Sequence, residues 1–173
     1  IYPETAKSIE IQLKASLLST VYSKSQDTGA LEAAAFSINT EGTGFIFVQA
    51  LAGSLLYSAD GKIPTEKPTI IVGSSLGKVA VGDQQSFSLN RLKQLPGGEL
   101  AVVKNIQPIT IDHLNGYEII AEGKNKNDKA EMIYQVMLYT GNGQYYIIVG
   151  QSNEDFGKYQ EMFKNIAISF TRK

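Results

Sequence analysis

A chain of 173 residues, 43% hydrophobic and 19% charged, has the length and composition to close one sizeable core unaided. Its formal charge of -1 supplies no global attraction for nucleic acid or anionic lipid, and its lack of cysteine removes disulfide scaffolds, cysteine-rich zinc sites and thiol catalysis. No apolar run reaches the roughly 18 to 20 residues of a membrane-spanning helix, and no charged leader is present; with Ile1 at its start, the chain stays compatible with a removed signal or lipid anchor.

In chain order, residues 1–7 read as a loose lead-in to a single domain spanning 1–173. Ser8 to Tyr22 is ambiguous. Ile9, Ile11 and Leu13 alternate like a strand, whereas Ile11, Ala15, Leu18 and Tyr22 keep helical spacing. Serines and threonines in its second half favour a strand followed by irregular chain. Ser23 to Gly29 reads as a polar loop. Leu31 to Ile38 is expected to form a hairpin with the apolar strand Phe45–Leu51, across the turn Glu41-Gly42-Thr43-Gly44. Ala52 to Pro68 holds a Ser-Ala-Asp-Gly turn and two prolines, and is expected to be a long surface crossing. Thr69 to Gly73 is a short apolar strand.

Gln84 to Leu95 predicts a helix with Phe87, Arg91, Leu92 and Leu95 near one side, stopped by Pro96-Gly97-Gly98. Glu99–Ile106 and Pro108–Asp112 read as strand material leading into an Asn115-Gly116 turn. Tyr117 to Glu122 alternates, with Tyr117, Ile119 and Ala121 on one face and Glu118 and Glu122 on the other. Lys124 to Lys129 is a polar connection. Met132, Tyr134, Val136 and Leu138 line one face of the next strand. Asn142-Gly143 reverses the chain into Tyr145–Val149. Ser152 and Asp155 predict a helix start. Phe156, Tyr159, Phe163, Ile166 and Phe170 then form a helical stripe made to cover a sheet. The neighbours are hairpins rather than parallel crossovers. The expected class is α+β: an α/β/α-like sandwich with a mainly antiparallel sheet and a C-terminal packing helix from about 154 to 168.

The run from Ile109-Thr110-Ile111-Asp112-His113-Leu114-Asn115-Gly116-Tyr117-Glu118, through Met132–Leu138 and Tyr146-Ile147-Ile148-Val149-Gly150, to Phe156, Phe163, Ile166 and Phe170 resembles the PsbP-like and DcrB-like superfamily. The resemblance implies a meander closed by a helix. It also implies a largely non-enzymatic role, many bacterial relatives being exported or lipid-anchored.

Gly73-Ser74-Ser75-Leu76-Gly77 matches the nucleophile turn of serine hydrolases and follows an apolar strand. Ser75 would be the nucleophile, His113 the base and Asp83 the orienting acid. The competing reading is a glycine-rich structural turn, since Lys78 to Gly82 does not continue as a helix. Gly77-Lys78 fails the phosphate-loop pattern, because Val72 stands at its first glycine and Val79 follows the lysine. His113 is the sole histidine, and no metal or other cofactor is expected. Lys124, Lys126 and Lys129 form either a partner surface or a solvated hairpin loop. Tyr145 and Tyr146 cannot share one strand face, so one of them is expected at a partner surface.

The reading that follows is a non-enzymatic, exported or lipid-anchored accessory protein outside the cytoplasm, with a protein partner or small ligand and no nucleic acid. A small serine esterase using Ser75 and His113, and a cytosolic protein-interaction domain, are the alternatives.

Overall fold

The computed structural model describes residues 24–78 and 82–173; the expectations for 1–22 lie outside them. The chain forms helix α1 (Lys24–Ala33), strands β1 (Phe36–Ser37), β2 (Ile46–Leu51), β3 (Ser54–Ser58) and β4 (Thr69–Ser74), helix α2 (Gln84–Lys93), strands β5 (Val102–Ile111), β6 (Leu114–Lys124), β7 (Ala130–Tyr139) and β8 (Tyr145–Ser152), helix α3 (Phe156–Ile168) and strand β9 (Thr171–Arg172). Among the described residues, seven strands make one antiparallel sheet in the order β2-β3-β4-β8-β7-β6-β5. Helix α3 packs on one face and α2 on the other, which is the expected α/β/α-like sandwich.

Strand alternation divides the core. Tyr134, Val136 and Leu138 of β7 face α3 with Met132, as their spacing predicts, beside Val72 and Ile148. The intervening Ile133 meets Leu92 of α2, with Ile119, Ala121 and Val149. Asp155 caps α3, its carboxylate accepting the Lys158 N–H. Phe163, Ile166, Ala167 and Phe170 are buried beneath that helix.

Five expectations are corrected. The described part of the expected loop Ser23–Gly29 is helical, and Leu31–Ile38 is not the partner of β2. The chain is helical from Lys24 to Ala33, and Phe36–Ser37 pairs instead with Thr171–Arg172. The end of α1 is satisfied by Lys173, whose ammonium donates to the Leu31 carbonyl at 2.6 Å, a cap supplied from the far end of the sequence. Ala52–Pro68 is not all loop, since it contains β3, entered by a tight turn with Ala52 and Gly53 at φ 49 and 78. Strand β5 runs unbroken through Pro108. That strand is outermost among the described residues, so the missing proline N–H costs no internal ladder bond. Finally, Asn115-Gly116 is not the turn. The reversal is Asp112-His113, both left-handed at φ 48 and 59. Asp112 is held there by Arg172, whose Nε and backbone N–H donate to its carboxylate at 2.6 and 3.1 Å.

Glu118 faces α3, away from Ile119 as its alternation requires, but solvent does not reach it: it is 1% exposed. Its carboxylate accepts the Tyr134 hydroxyl at 2.7 Å and the Gln107 amide N–H. Burial, and then the Glu118 carboxylate, push the Tyr134 hydroxyl far above the usual phenol range, so it stays a donor. Tyr134→Phe removes one of two donors from a buried charge. The expected loss of unfolding free energy is about 1.5–3 kcal/mol, read by urea denaturation. A loss within experimental scatter would mean that this bond does not support the carboxylate.

Candidate functional site: a pocket around Glu131

Four connections meet at one end of the sheet: the β3–β4 loop, the α2–β5 loop, the β6–β7 turn and the β8–α3 junction. They enclose a polar pocket of about 270 Å³ on the α2 side, with Thr65, Lys67, Gly97, Asn127, Glu131 and Gln151 in its walls.

Each wall has a local cause. After α2, a side chain at Gly98 would overlap the Leu92 carbonyl, and one at Gly123 would stand 2.6 Å from the Gly97 carbonyl. Glycine at both positions lets the Pro96-Gly97-Gly98 loop lie directly on the end of β6. That placement brings the Pro96 carbonyl to the Gln151 amide, which donates to it at 2.9 Å. In the β6–β7 turn, Asn125 Oδ1 accepts the N–H groups of Asn127 and Lys129. The turn is tied to the β3–β4 loop through Glu66, which accepts from Asn127 Nδ2 at 3.1 Å and pairs with Lys129 at 3.4 Å. Asp60 organises the loop by accepting from Thr65, Ser58 and the Lys62 N–H. Lys67 fastens it to Glu154 at 3.1 Å.

Glu131, at the start of β7, lies half-buried at the floor. Among the described residues, the one hydrogen bond to its carboxylate is a long one from Gln151 Nε2, at 3.3 Å, and no cation pairs with it. Burial pushes its carboxyl above the ordinary value of 4.5. The folded state therefore holds this proton more tightly than the unfolded chain does. That difference opposes folding progressively as pH rises from the ordinary value through the folded-state value. Glu131→Gln is expected to stabilise the protein at pH 7 and to give no such gain below about pH 4. Urea denaturation at the two pH values checks it; a gain at pH 4 that vanishes at pH 7 would reverse the sign of the argument.

The structure disperses the residues of the hydrolase alternative. The Ser75 N–H donates to the Tyr145 carbonyl at 2.8 Å, and Ser75 Oγ accepts the Tyr145 N–H at 3.2 Å, so Ser75 extends the β4–β8 pairing. Asp83 caps α2, accepting the Gln85 and Ser86 N–H groups. His113 sits in the β5–β6 turn, and β8, β7 and β6 separate it from β4. Three strand spacings are roughly 14 Å, far beyond proton-transfer reach. Among the described residues, no group of three or more His, Cys, Asp or Glu is placed to hold a metal. None of the described helices is long and apolar enough to cross a membrane.

Tyr145 and Tyr146 lie on opposite faces of β8, and both faces carry aromatic packing. Tyr145 is buried against Phe87, ring centroids 5.5 Å apart, and half-buried Tyr146 packs on Phe170 at 5.0 Å. Of the three lysines, Lys124 pairs with Asp128 at 2.8 Å and Lys129 with Glu66, while Lys126 stands exposed at the pocket rim with no ion pair among the described residues. A larger cavity of about 370 Å³ lies beneath α1, with Leu31, Phe36, Phe47, Leu55 and Tyr57 in a chiefly apolar wall. Burial there pushes the Tyr57 hydroxyl to about 12.

No family model matches the chain, and no curated protein does. Its fold recurs in solved structures. LpqN of Mycobacterium tuberculosis, described as involved in cell envelope biogenesis, superposes with a TM-score of 0.55 at 15% identity, covering 79% of this chain and 82% of its own. PsbP (CyanoP) of the cyanobacterium Synechocystis gives a TM-score of 0.54 at 13% identity, over 81% and 94% of the two chains. PA94 of Pseudomonas aeruginosa, a protein of unknown function, gives 0.50 at 13% identity, over 79% and 83%. At these identities the likeness is one of fold, which this chain shares with a PsbP structure among others.

Proposed function

We propose that this chain is a non-enzymatic accessory protein, exported or lipid-anchored, that binds a partner or small ligand outside the cytoplasm through the pocket around Glu131. The observation that carries the proposal is the pocket's construction. Connections distant in sequence are pinned together by side-chain bonds around a half-buried carboxylate that pairs with no cation among the described residues. Holding that charge opposes folding, and a ligand that complements it offsets the cost on binding. The compartment draws support from LpqN, whose fold this chain shares and which is involved in cell envelope biogenesis. A net charge of -1 favours a protein or small-molecule partner over nucleic acid.

The test starts from cells that make the full-length precursor. Fractionation is expected to place it in a membrane or periplasmic fraction with a processed N terminus. Crosslinking in that fraction should then yield a partner that is lost when Glu131 and Lys126 are replaced by Gln and Met. Recovery only from the cytosol with an uncleaved N terminus would overturn the exported reading. A partner retained by the double variant would overturn the assignment of the pocket.

A further inference from the structure

We infer that the pocket takes a zwitterion: a small molecule with an ammonium group that meets Glu131 and an acidic group that meets Lys126. This rests on reading the pocket as the binding site and adds the charge pattern of its ligand.

Four charged side chains line the pocket: Glu66, Lys67, Lys126 and Glu131. Two of them close on partners outside the lining, Glu66 with Lys129 at 3.4 Å and Lys67 with Glu154 at 3.1 Å. These pairs hold the walls and are not free for a ligand. The remaining two are opposite in sign, at different depths, and paired neither with each other nor with any other described residue. Glu131 lies at the floor and Lys126 at the rim. A ligand with a single charge would satisfy one of them and leave the other. A ligand with both satisfies the pair and brings no net charge into the cleft.

The neutral groups agree with this orientation. Near Glu131, the Oε1 of Gln151 and the hydroxyl of Thr69 make no hydrogen bond to any described residue. The Gln151 amide uses its N–H group on the Pro96 carbonyl and on Glu131, which leaves its oxygen as an acceptor. An ammonium has three donors and no acceptor, so it matches a floor of carboxylate, amide oxygen and hydroxyl. Among the described residues no aromatic ring lines the pocket, which gives no stacking platform for a sugar or a base. At about 270 Å³ the pocket lies just below the roughly 300 Å³ at which drug-sized sites begin, so the ligand is of metabolite size.

An ω-amino acid series measures the spacing of the two charges. Backbone amides of the folded protein, labelled with nitrogen-15, would be followed by NMR during titration with glycine, 4-aminobutyrate and 6-aminohexanoate. Amines and carboxylates of matched chain length serve as the singly charged controls. At one chain length the zwitterion is expected to shift the Lys126, Glu131 and Gln151 amides at a concentration about tenfold lower than either control. Glu131→Gln should reduce that zwitterion to the level of the carboxylate, and Lys126→Met to the level of the amine. Equal binding of zwitterion and amine at every length, or no shift at these amides, would overturn the inference. If no compound shifts the pocket yet the crosslinked partner is still lost in the double variant, the zwitterion is wrong and the pocket remains the binding site. If both experiments fail, both readings fall.

Discussion

Phe163→Ala is expected to cost about 3–5 kcal/mol of unfolding free energy, the range for truncating a fully buried phenylalanine. Phe163 is 0% exposed. Its ring lies on Gly150 of β8, so closely that a side chain at Gly150 would overlap the ring carbons. Phe45, Tyr134 and Tyr159 surround it, with ring centroids 5.6, 6.1 and 6.2 Å away. Truncation leaves a void bounded by the sheet and by rings that cannot collapse into it without leaving their own packing. Gly150→Ala attacks the same contact from the sheet side and should also destabilise. Because both changes act on one contact, their combined cost should differ from the sum of the separate costs. Urea denaturation of the two single variants and the double variant measures this. A Phe163→Ala loss below about 1 kcal/mol would contradict the docking of α3 on the sheet.

Gly116→Ala is expected to cost about 3 kcal/mol or more, at or above the upper end of ordinary overpacking. The added methyl would overlap the Met137 carbonyl oxygen of the neighbouring strand. Gly116 pairs with Leu138 inside the ladder joining β6 to β7. The obstructing atom belongs to the backbone, so no rotamer change relieves it and the two strands must part. Hydrogen exchange should speed up first at the β6–β7 amides beside Gly116. Tolerance of alanine within about 0.5 kcal/mol would contradict the register of this strand pair.

The readable parts of the chain were those whose partners were periodic. The stripe of Phe156, Phe163, Ile166 and Phe170 repeats at helical spacing, and Met132 to Leu138 alternates, because each pattern faces one continuous apolar layer. The misread parts depend on single contacts across long sequence separations. Helix α1 ends on Lys173, the Asp112-His113 turn is held by Arg172, and β3 is a five-residue strand defined by its pairing with β2 and β4. Ser75 carried a local motif, but its hydroxyl is occupied by the Tyr145 N–H, which the motif could not reveal.

The candidate site was legible only at its rim. Lys126 belongs to a polar hairpin turn that stands out in the sequence. Glu131 reads as an ordinary charged residue at a strand start. Its significance comes from Gly97, Gln151 and the β3–β4 loop, brought to it by the order of strands rather than by spacing along the chain.

Position-resolved photocrosslinking locates the binding surface. A photoreactive residue would replace Asn153, which lines the pocket, or Leu51, which is 70% exposed at the opposite end of the sheet. Each full-length variant would be irradiated in its own cells and its adducts read by mass. An adduct at position 153 that disappears with Glu131→Gln, and none in common at position 51, is the expected result. Adducts at position 51 with none at 153 would contradict the assignment of the pocket.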